Sequence, residues 1–173
     1  MTFDEEIEKL NDDSLWELFS LVEKHLRKRK LIRSRNIVGD RGEEIVVRTY
    51  NKIPNEPKLQ RALEGTQNLD AISKKGERYA IKAISYPNTT TSAFYGLNDP
   101  GSSKPEAKRF EYVVVVTLDD KFQPIEILEA DWNTFLRFKK WHSTMKAWNL
   151  SVTKSFRQSC RVVFKRNMMT GKE

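Results

Sequence analysis

The chain has 173 residues, of which 38% are hydrophobic and 32% charged, with seven glycines and six prolines. This length fits one compact domain, residues 1–173, and the composition excludes collagen-like and low-complexity chains. Lys and Arg exceed Asp and Glu by 31 to 24, a net charge of +7, which favours a polyanionic partner such as nucleic acid without requiring one.

The cysteine content and the distribution of apolar residues indicate a cellular location. Cys160 is the only cysteine, which excludes an intramolecular disulfide and fits a reducing compartment. The N-terminus is acidic and lacks the apolar core of a signal peptide, and no stretch approaches the roughly 18 apolar residues of a membrane span. We therefore expect a cytoplasmic protein that is not inserted in a membrane.

The first thirty residues have a helical pattern. Apolar residues at steps of three and four predict a helix over residues 3–30, broken near Asn11: Leu15, Leu18, Phe19, Val22 and Leu26. Because this apolar side needs burial, we expect the N-terminal region, residues 1–36, to serve in homodimerisation. Six cations lie between Arg27 and Arg35, and they suit either a solvated helix C-terminus or contacts with phosphates.

The next elements are a helix, a hairpin and a long polar segment. A second helix is predicted to start after Gly39-Asp40 and to stop before Pro54. Residues 69–73 and 77–84 are two β-rich runs joined by Lys74-Lys75-Gly76, which predicts a hairpin with Gly at the turn. Tyr86 to Pro105 is too polar for a core and is either a functional loop or an ordinary mobile surface loop.

The remaining pattern predicts the centre of a sheet. Tyr112 to Leu118 contains four successive valines and is typical of a buried strand, with Pro124 to Glu129 as its partner. Asp131 is a predicted N-cap for an aromatic helix, and residues 160–165 form a final strand. The order of elements predicts an α/β or α+β fold in which helices flank a mixed β-sheet.

Lys82 is the unusual residue of the predicted hairpin. Strand side chains alternate, so Ala80, Lys82 and Ile84 share one face, and Tyr79, Ile81 and Ala83 the other. A lysine in the middle of an apolar strand requires a compensating acidic group, phosphate or metal-bound water. Asp70 on the adjoining strand is the nearest candidate.

The arrangement of Asp70, nine intervening residues and then Ala80-Ile81-Lys82 resembles the PD-(D/E)XK nuclease motif, in particular that of small homodimeric type II restriction endonucleases. The resemblance covers residues 40–145. It implies a restriction-endonuclease-like fold and sequence-specific, Mg²⁺-dependent hydrolysis of double-stranded DNA. In such a site Asp70 and the main-chain carbonyl of Ile81 hold the metal, and Lys82 orients or activates the attacking water.

Ala80 departs from the motif, which has Glu at this catalytic position. Three explanations remain: an engineered Glu-to-Ala change, a natural loss of activity, or migration of the carboxylate to another element. The intact Asp70 and Lys82 favour the first. Glu77 is an odd number of residues from Lys82, so along a regular strand its side chain is expected on the opposite face and cannot replace the motif Glu. Glu43, at the start of the second helix, resembles a family glutamate that reaches the metal, although Glu44 competes with it and both acids also suit a helix N-terminus.

The polar segment after Lys82 lies where nucleases of this family contact the DNA groove. Its hydroxyls, amides and lysines suit bases and phosphates, and the predicted DNA-binding residues are Asn88, Thr89, Thr90, Thr91, Ser92, Tyr95, Lys104 and Lys108. Two other functions remain open. One is a noncatalytic DNA-binding protein on a decayed nuclease fold, and the other is a resolvase or repair nuclease that selects DNA structure.

Overall fold

The computed structural model describes residues 2–167, apart from the side chain of Trp16. Contacts between Cα atoms divide the chain into two compact units, residues 1–37 and residues 38–173. The boundary falls at the end of the predicted N-terminal helical region. Each unit is built from different elements and is described separately.

The first unit is helical. It contains α1 (Phe3–Ile7) and α2 (Asp12–Lys28), and the side chain of Asn11 accepts a hydrogen bond from the backbone N–H of Ser14 at 2.9 Å. The predicted break near Asn11 is therefore confirmed, because this side chain satisfies a backbone donor at the start of a new helix. No helix among residues 2–167 is long and apolar enough to cross a membrane.

The second unit is built on a six-stranded mixed sheet with the order β1-β2-β3-β4-β5-β8. Its strands are β1 (Leu59–Arg61), β2 (Ala71–Ser73), β3 (Arg78–Ser85), β4 (Tyr112–Leu118), β5 (Pro124–Asp131) and β8 (Arg161–Lys165), while β6 (Lys140–His142) and β7 (Ala147–Asn149) form a separate hairpin. The helices are α3 (Ile37–Lys52), α4 (Trp132–Phe138) and α5 (Lys154–Ser159). Only β3 and β4 pair in parallel among these neighbours. The predicted α+β fold with a mixed sheet is confirmed.

The side chains of β3 alternate between two cores, as predicted. Tyr79 and Ile81 belong to a core that includes apolar residues of α3. Ala80 and Ile84 belong to the opposite core, which is rich in aromatic rings, among them Phe94, Phe110, Phe135 and Phe156. Since Lys82 lies between Ala80 and Ile84 along the strand, its side chain leaves β3 on the aromatic side.

Gly42 allows α3 to approach the sheet closely. A Cβ atom added to Gly42 would lie 2.5 Å from the Cβ of Ala83 and 3.0 Å from Cγ1 of Val116. These distances are too short for the chain to accept an extra methyl group without moving the helix. Gly42 therefore fixes the distance between α3 and β3, and with it the position of Glu43.

We expect Gly42→Ala to lower the free energy of unfolding by up to about 2 kcal/mol, because overpacking costs about 1–3 kcal/mol and the gain in helix propensity offsets about 1 kcal/mol of it. Urea denaturation measures the change. Adding Ala83→Gly, which removes the methyl group that collides, should recover part of the loss in a double-mutant cycle. A Gly42→Ala chain more stable than the parent would contradict this close contact.

Several elements differ from the sequence predictions. α3 begins at Ile37, so Gly39 and Asp40 lie inside the helix instead of preceding it. The strand β1, the β6–β7 hairpin and α5 were not predicted. They are three to six residues long, and elements this short leave little periodicity in the sequence.

Candidate functional site

Asp70 lies where β2 and β3 separate. Its backbone N–H donates to the carbonyl of Tyr79 at 2.9 Å, and its Oδ2 accepts the backbone N–H of Ile81 at 2.6 Å. The carboxylate thus accepts a hydrogen bond from β3 at the point where backbone pairing between β2 and β3 ends. The N–H and C=O of a strand residue face the same neighbour, so the Ile81 carbonyl lies on the side of β3 where Asp70 is found.

Lys82 is held by the segment that follows β3. Its Nζ donates to the carbonyl of Ala93 at 3.0 Å and lies 4.7 Å from the ring centroid of Phe94. Burial lowers the pKa of this lysine, and the charges of Asp70 and Glu43 act in the opposite direction. The compensation expected for a lysine in an apolar strand therefore comes from a carbonyl, an aromatic ring and two carboxylates.

The two candidate glutamates of α3 have different surroundings. Glu43 forms an ion pair with Nη2 of Arg61 at 2.9 Å and acts electrostatically on Lys82. Glu44 pairs with Arg41 and Arg48, which are on its own helix. Of the two, Glu43 is therefore the one associated with Asp70 and Lys82.

Two further residues of this region were missed in the sequence. Asp40 is buried, and its Oδ1 lies 3.9 Å from Nη2 of Arg61, the partner of Glu43. Asp40 precedes Glu43 by three residues on the same helical face, a spacing that could have identified it. Arg61 had no such signal, because its pairing with α3 depends on the tertiary fold.

Glu77 and Ala80 do not supply a carboxylate to this region. Glu77 accepts a hydrogen bond from the hydroxyl of Ser73 at 2.9 Å, across the turn of the β2–β3 hairpin. Ala80 is fully buried in the aromatic core. The motif position that carries Glu in the family is thus an apolar contact in this chain.

The oxygen atoms near Asp70 decide whether a metal ion fits. Among residues 2–167, no three or more His, Cys, Asp or Glu side chains are grouped so that they could hold a metal. Mg²⁺, however, is commonly held by one or two carboxylates together with waters and substrate phosphates. The carboxylates of Asp70 and Glu43 and the carbonyl of Ile81 are hard oxygen donors, which is the chemical type of ligand that Mg²⁺ takes.

The predicted DNA-binding segment, residues 86–105, is paired with the chain after β6. Phe94 and Trp148 exchange both backbone hydrogen bonds, at 2.6 and 3.2 Å. The N–H of Thr91 donates to the carbonyl of Leu150 at 2.9 Å, and further along the N–H of Val152 donates to the carbonyl of Thr89 at 2.7 Å. The segment that holds Lys82 is therefore itself held by backbone pairing.

The predicted DNA-binding residues of this segment and Lys108 differ in their exposure to solvent. Thr91 is buried, and its hydroxyl accepts from the Leu150 N–H and donates to the Ser92 carbonyl, so in this structure its side chain serves the fold. Lys108 is exposed, but its Nζ lies 3.7 Å from Glu111. The other predicted residues have exposed side chains: Asn88, Thr89, Thr90, Ser92, Tyr95 and Lys104.

Comparison with known proteins found no matching family model and no matching curated protein.

Proposed function

We propose that this chain is a Mg²⁺-dependent endonuclease of double-stranded DNA with a PD-(D/E)XK fold, organised like a type II restriction enzyme. The observation that carries the proposal is the arrangement around Ile81. Its N–H donates to the carboxylate of Asp70, and the next residue is the half-buried Lys82. A carboxylate can hold a metal ion and a lysine can orient water, and these two roles suit the hydrolysis of a phosphodiester.

Each residue has a distinct role in this proposal. Asp70, Glu43 and the Ile81 carbonyl would hold Mg²⁺, which neutralises charge on the scissile phosphate. Lys82 orients the attacking water through its N–H groups. The 86–105 segment supports Lys82 through Ala93 and Phe94 and presents polar side chains, so recognition of DNA and support of the catalytic lysine come from one segment.

A plasmid assay tests the proposal. Supercoiled DNA of diverse sequence is incubated with the protein and Mg²⁺, with EDTA as the control. Discrete fragments support a sequence-specific endonuclease. Intact plasmid with this chain and with its Ala80→Glu variant, under all metal conditions, would remove the enzyme function.

A noncatalytic DNA-binding protein is the second candidate. It is favoured by the alanine at the motif position and by the ion pair of Glu43 with Arg61, which engages the one carboxylate of α3 associated with Lys82. A noncatalytic DNA-binding protein would bind duplex DNA and never cleave it. A structure-selective resolvase differs again, because it would prefer branched junctions over every linear duplex.

We also propose that the protein is a homodimer that pairs through α2. Leu15, Phe19 and Val22 are 38%, 50% and 48% exposed, and a groove of about 410 Å³ on this helix is lined by Leu18, Leu21, Val22, His25, Leu26 and Arg29. A second copy is the expected occupant, since a two-fold symmetric enzyme suits paired breaks in antiparallel strands.

Sedimentation should therefore give a dimer at micromolar concentration, and Val22→Glu should shift it to a monomer because a carboxylate would be buried in the apolar contact. Ser20→Glu adds the same charge to a different side of α2 and should leave the dimer intact. A parent chain that sediments as a monomer, with and without DNA, would overturn this proposal.

A further inference from the structure

The chain after α4 has an unusual charge pattern. Residues 132–167 contain nine Lys or Arg and no Asp or Glu. This part of the chain, which forms the β6–β7 hairpin, α5 and β8, thus has a net charge of its own that is strongly positive. An excess of cations in one part of a chain is typical of proteins that meet a polyanion.

Four of these cations serve the fold. Each forms an ion pair with an acid outside this part of the chain: Lys139 with Glu106 at 3.1 Å, Arg157 with Glu126 at 2.9 Å, Arg161 with Glu129 at 2.9 Å and Arg166 with Asp119 at 2.8 Å. Arg137 lies over the ring of Phe138. These contacts account for five of the nine cations.

The other four lysines have no acidic partner within 4 Å among the described residues: Lys140, Lys146, Lys154 and Lys165. All four are exposed. Three of them lie close together along the chain, with Lys140 on β6, Lys146 in the turn before β7 and Lys154 at the start of α5. Lys165 lies on β8, which β4 and β5 separate from β3.

The hairpin is joined to the segment that holds Lys82. Phe94 pairs with Trp148 of β7, and Thr90 pairs with Ser151, three residues before Lys154. The ring of Trp148 packs on Trp141 and under the ammonium of Lys139, at 4.0 Å. Lys140, Lys146 and Lys154 are therefore carried by elements that lie next to the 86–105 segment, either in the paired hairpin or within three residues of a paired residue.

We propose that Lys140, Lys146 and Lys154 form a phosphate-contacting surface, which we call the hairpin surface, that binds the DNA backbone beside the Asp70–Lys82 site. The partner follows from the proposed function, on which this inference rests. The three-residue strands of the hairpin span about 10 Å, and one DNA strand has a phosphate about every 3.4 Å of helix axis. The hairpin surface thus meets two or three phosphates.

The test is binding of a labelled 30-base-pair duplex at several salt concentrations, without Mg²⁺ so that nothing is cleaved. The variant is Lys140→Gln, Lys146→Gln and Lys154→Gln in one chain. Each lost phosphate contact should reduce the slope of log affinity against log salt by about 0.9. We expect the slope to fall by about 2 to 3 and the affinity near 0.15 M salt to fall about 100-fold.

A matched control removes the same charge elsewhere. Lys75, Lys121 and Lys165 are exposed lysines in two turns and on β8, and their combined change to Gln should reduce the slope by less than 1. Equal losses in both triple variants, or no loss in either, would overturn the hairpin surface. A parent chain that binds no duplex DNA would also overturn the hairpin surface. The same holds if the three lysines bind anionic phospholipid vesicles and not DNA.

The nuclease proposal can fail separately. If the parent binds DNA through the three lysines yet never cleaves it, the hairpin surface stands and the enzyme function is lost. If the parent cleaves DNA but the Lys140, Lys146 and Lys154 triple variant binds it normally, the enzyme function stands and the hairpin surface is lost. Thermal melting of both triple variants checks that they fold as the parent does.

Discussion

Asp70→Asn and Lys82→Met should each reduce Mg²⁺-dependent cleavage of duplex DNA by about 100-fold or more. Asn keeps an oxygen for the N–H of Ile81, so the separation of β2 and β3 is preserved while the charge that holds a cation is lost. Met keeps most of the volume of Lys82 beside Phe94 but removes the N–H donors that bind the Ala93 carbonyl and that would orient water in the proposed reaction. The losses therefore report on chemistry and not on unfolding.

The measurement is the initial rate of plasmid cleavage with saturating Mg²⁺, in the parent chain and in the Ala80→Glu background. Lys74→Gln is a suitable control, because this exposed lysine lies at the turn of the same hairpin. Binding of duplex DNA should stay within a few-fold of the parent in all three variants. Unchanged cleavage by the Asp70→Asn chain would exclude this carboxylate from the reaction.

Local signals in the sequence were sufficient for much of the fold. The turn at Gly76, which has a φ of +83°, marks the β2–β3 hairpin, and the valines of β4 mark the sheet centre. The side chain of Asp131 accepts from the N–H of Thr134 at 2.7 Å, as expected of the predicted N-cap. Each of these signals depends on residues that are close in the chain, and such patterns are readable without tertiary contacts.

The parts that were missed depend on distant residues. β7 acquires its neighbour Phe94 from more than fifty residues away, and Arg61 meets Glu43 only because β1 pairs with β2 beside α3. Thr91 looks like any other hydroxyl in a polar run, and only its pairing with Leu150 explains why it is buried. The proximity of Asp70 to Lys82, which it affects electrostatically, could be predicted because the β2–β3 hairpin makes their strands neighbours.

The surroundings of Ala80 bear on the proposal that this position lacks the Glu of the PD-(D/E)XK motif. Its side chain leaves β3 on the same side as Lys82, and it is fully buried among aromatic residues. A Glu at this position would have the ammonium of Lys82 as a neighbour. Its carboxylate would supply a hard oxygen in addition to that of Asp70. It would also cost packing energy, so the variant should be less stable than the parent while gaining a ligand.

We therefore expect Ala80→Glu to increase Mg²⁺-dependent cleavage by about 100-fold or more, because it would add a carboxylate ligand to the proposed metal site. Glu43→Gln tests the other source of a carboxylate, with Glu44→Gln as its matched control on the same helix. If Glu43 alone replaces the motif glutamate, Glu43→Gln removes the cleavage of the parent and Ala80→Glu adds nothing. An increase with Ala80→Glu that survives Glu43→Gln shows instead that the position of Ala80 is the natural place of the second carboxylate.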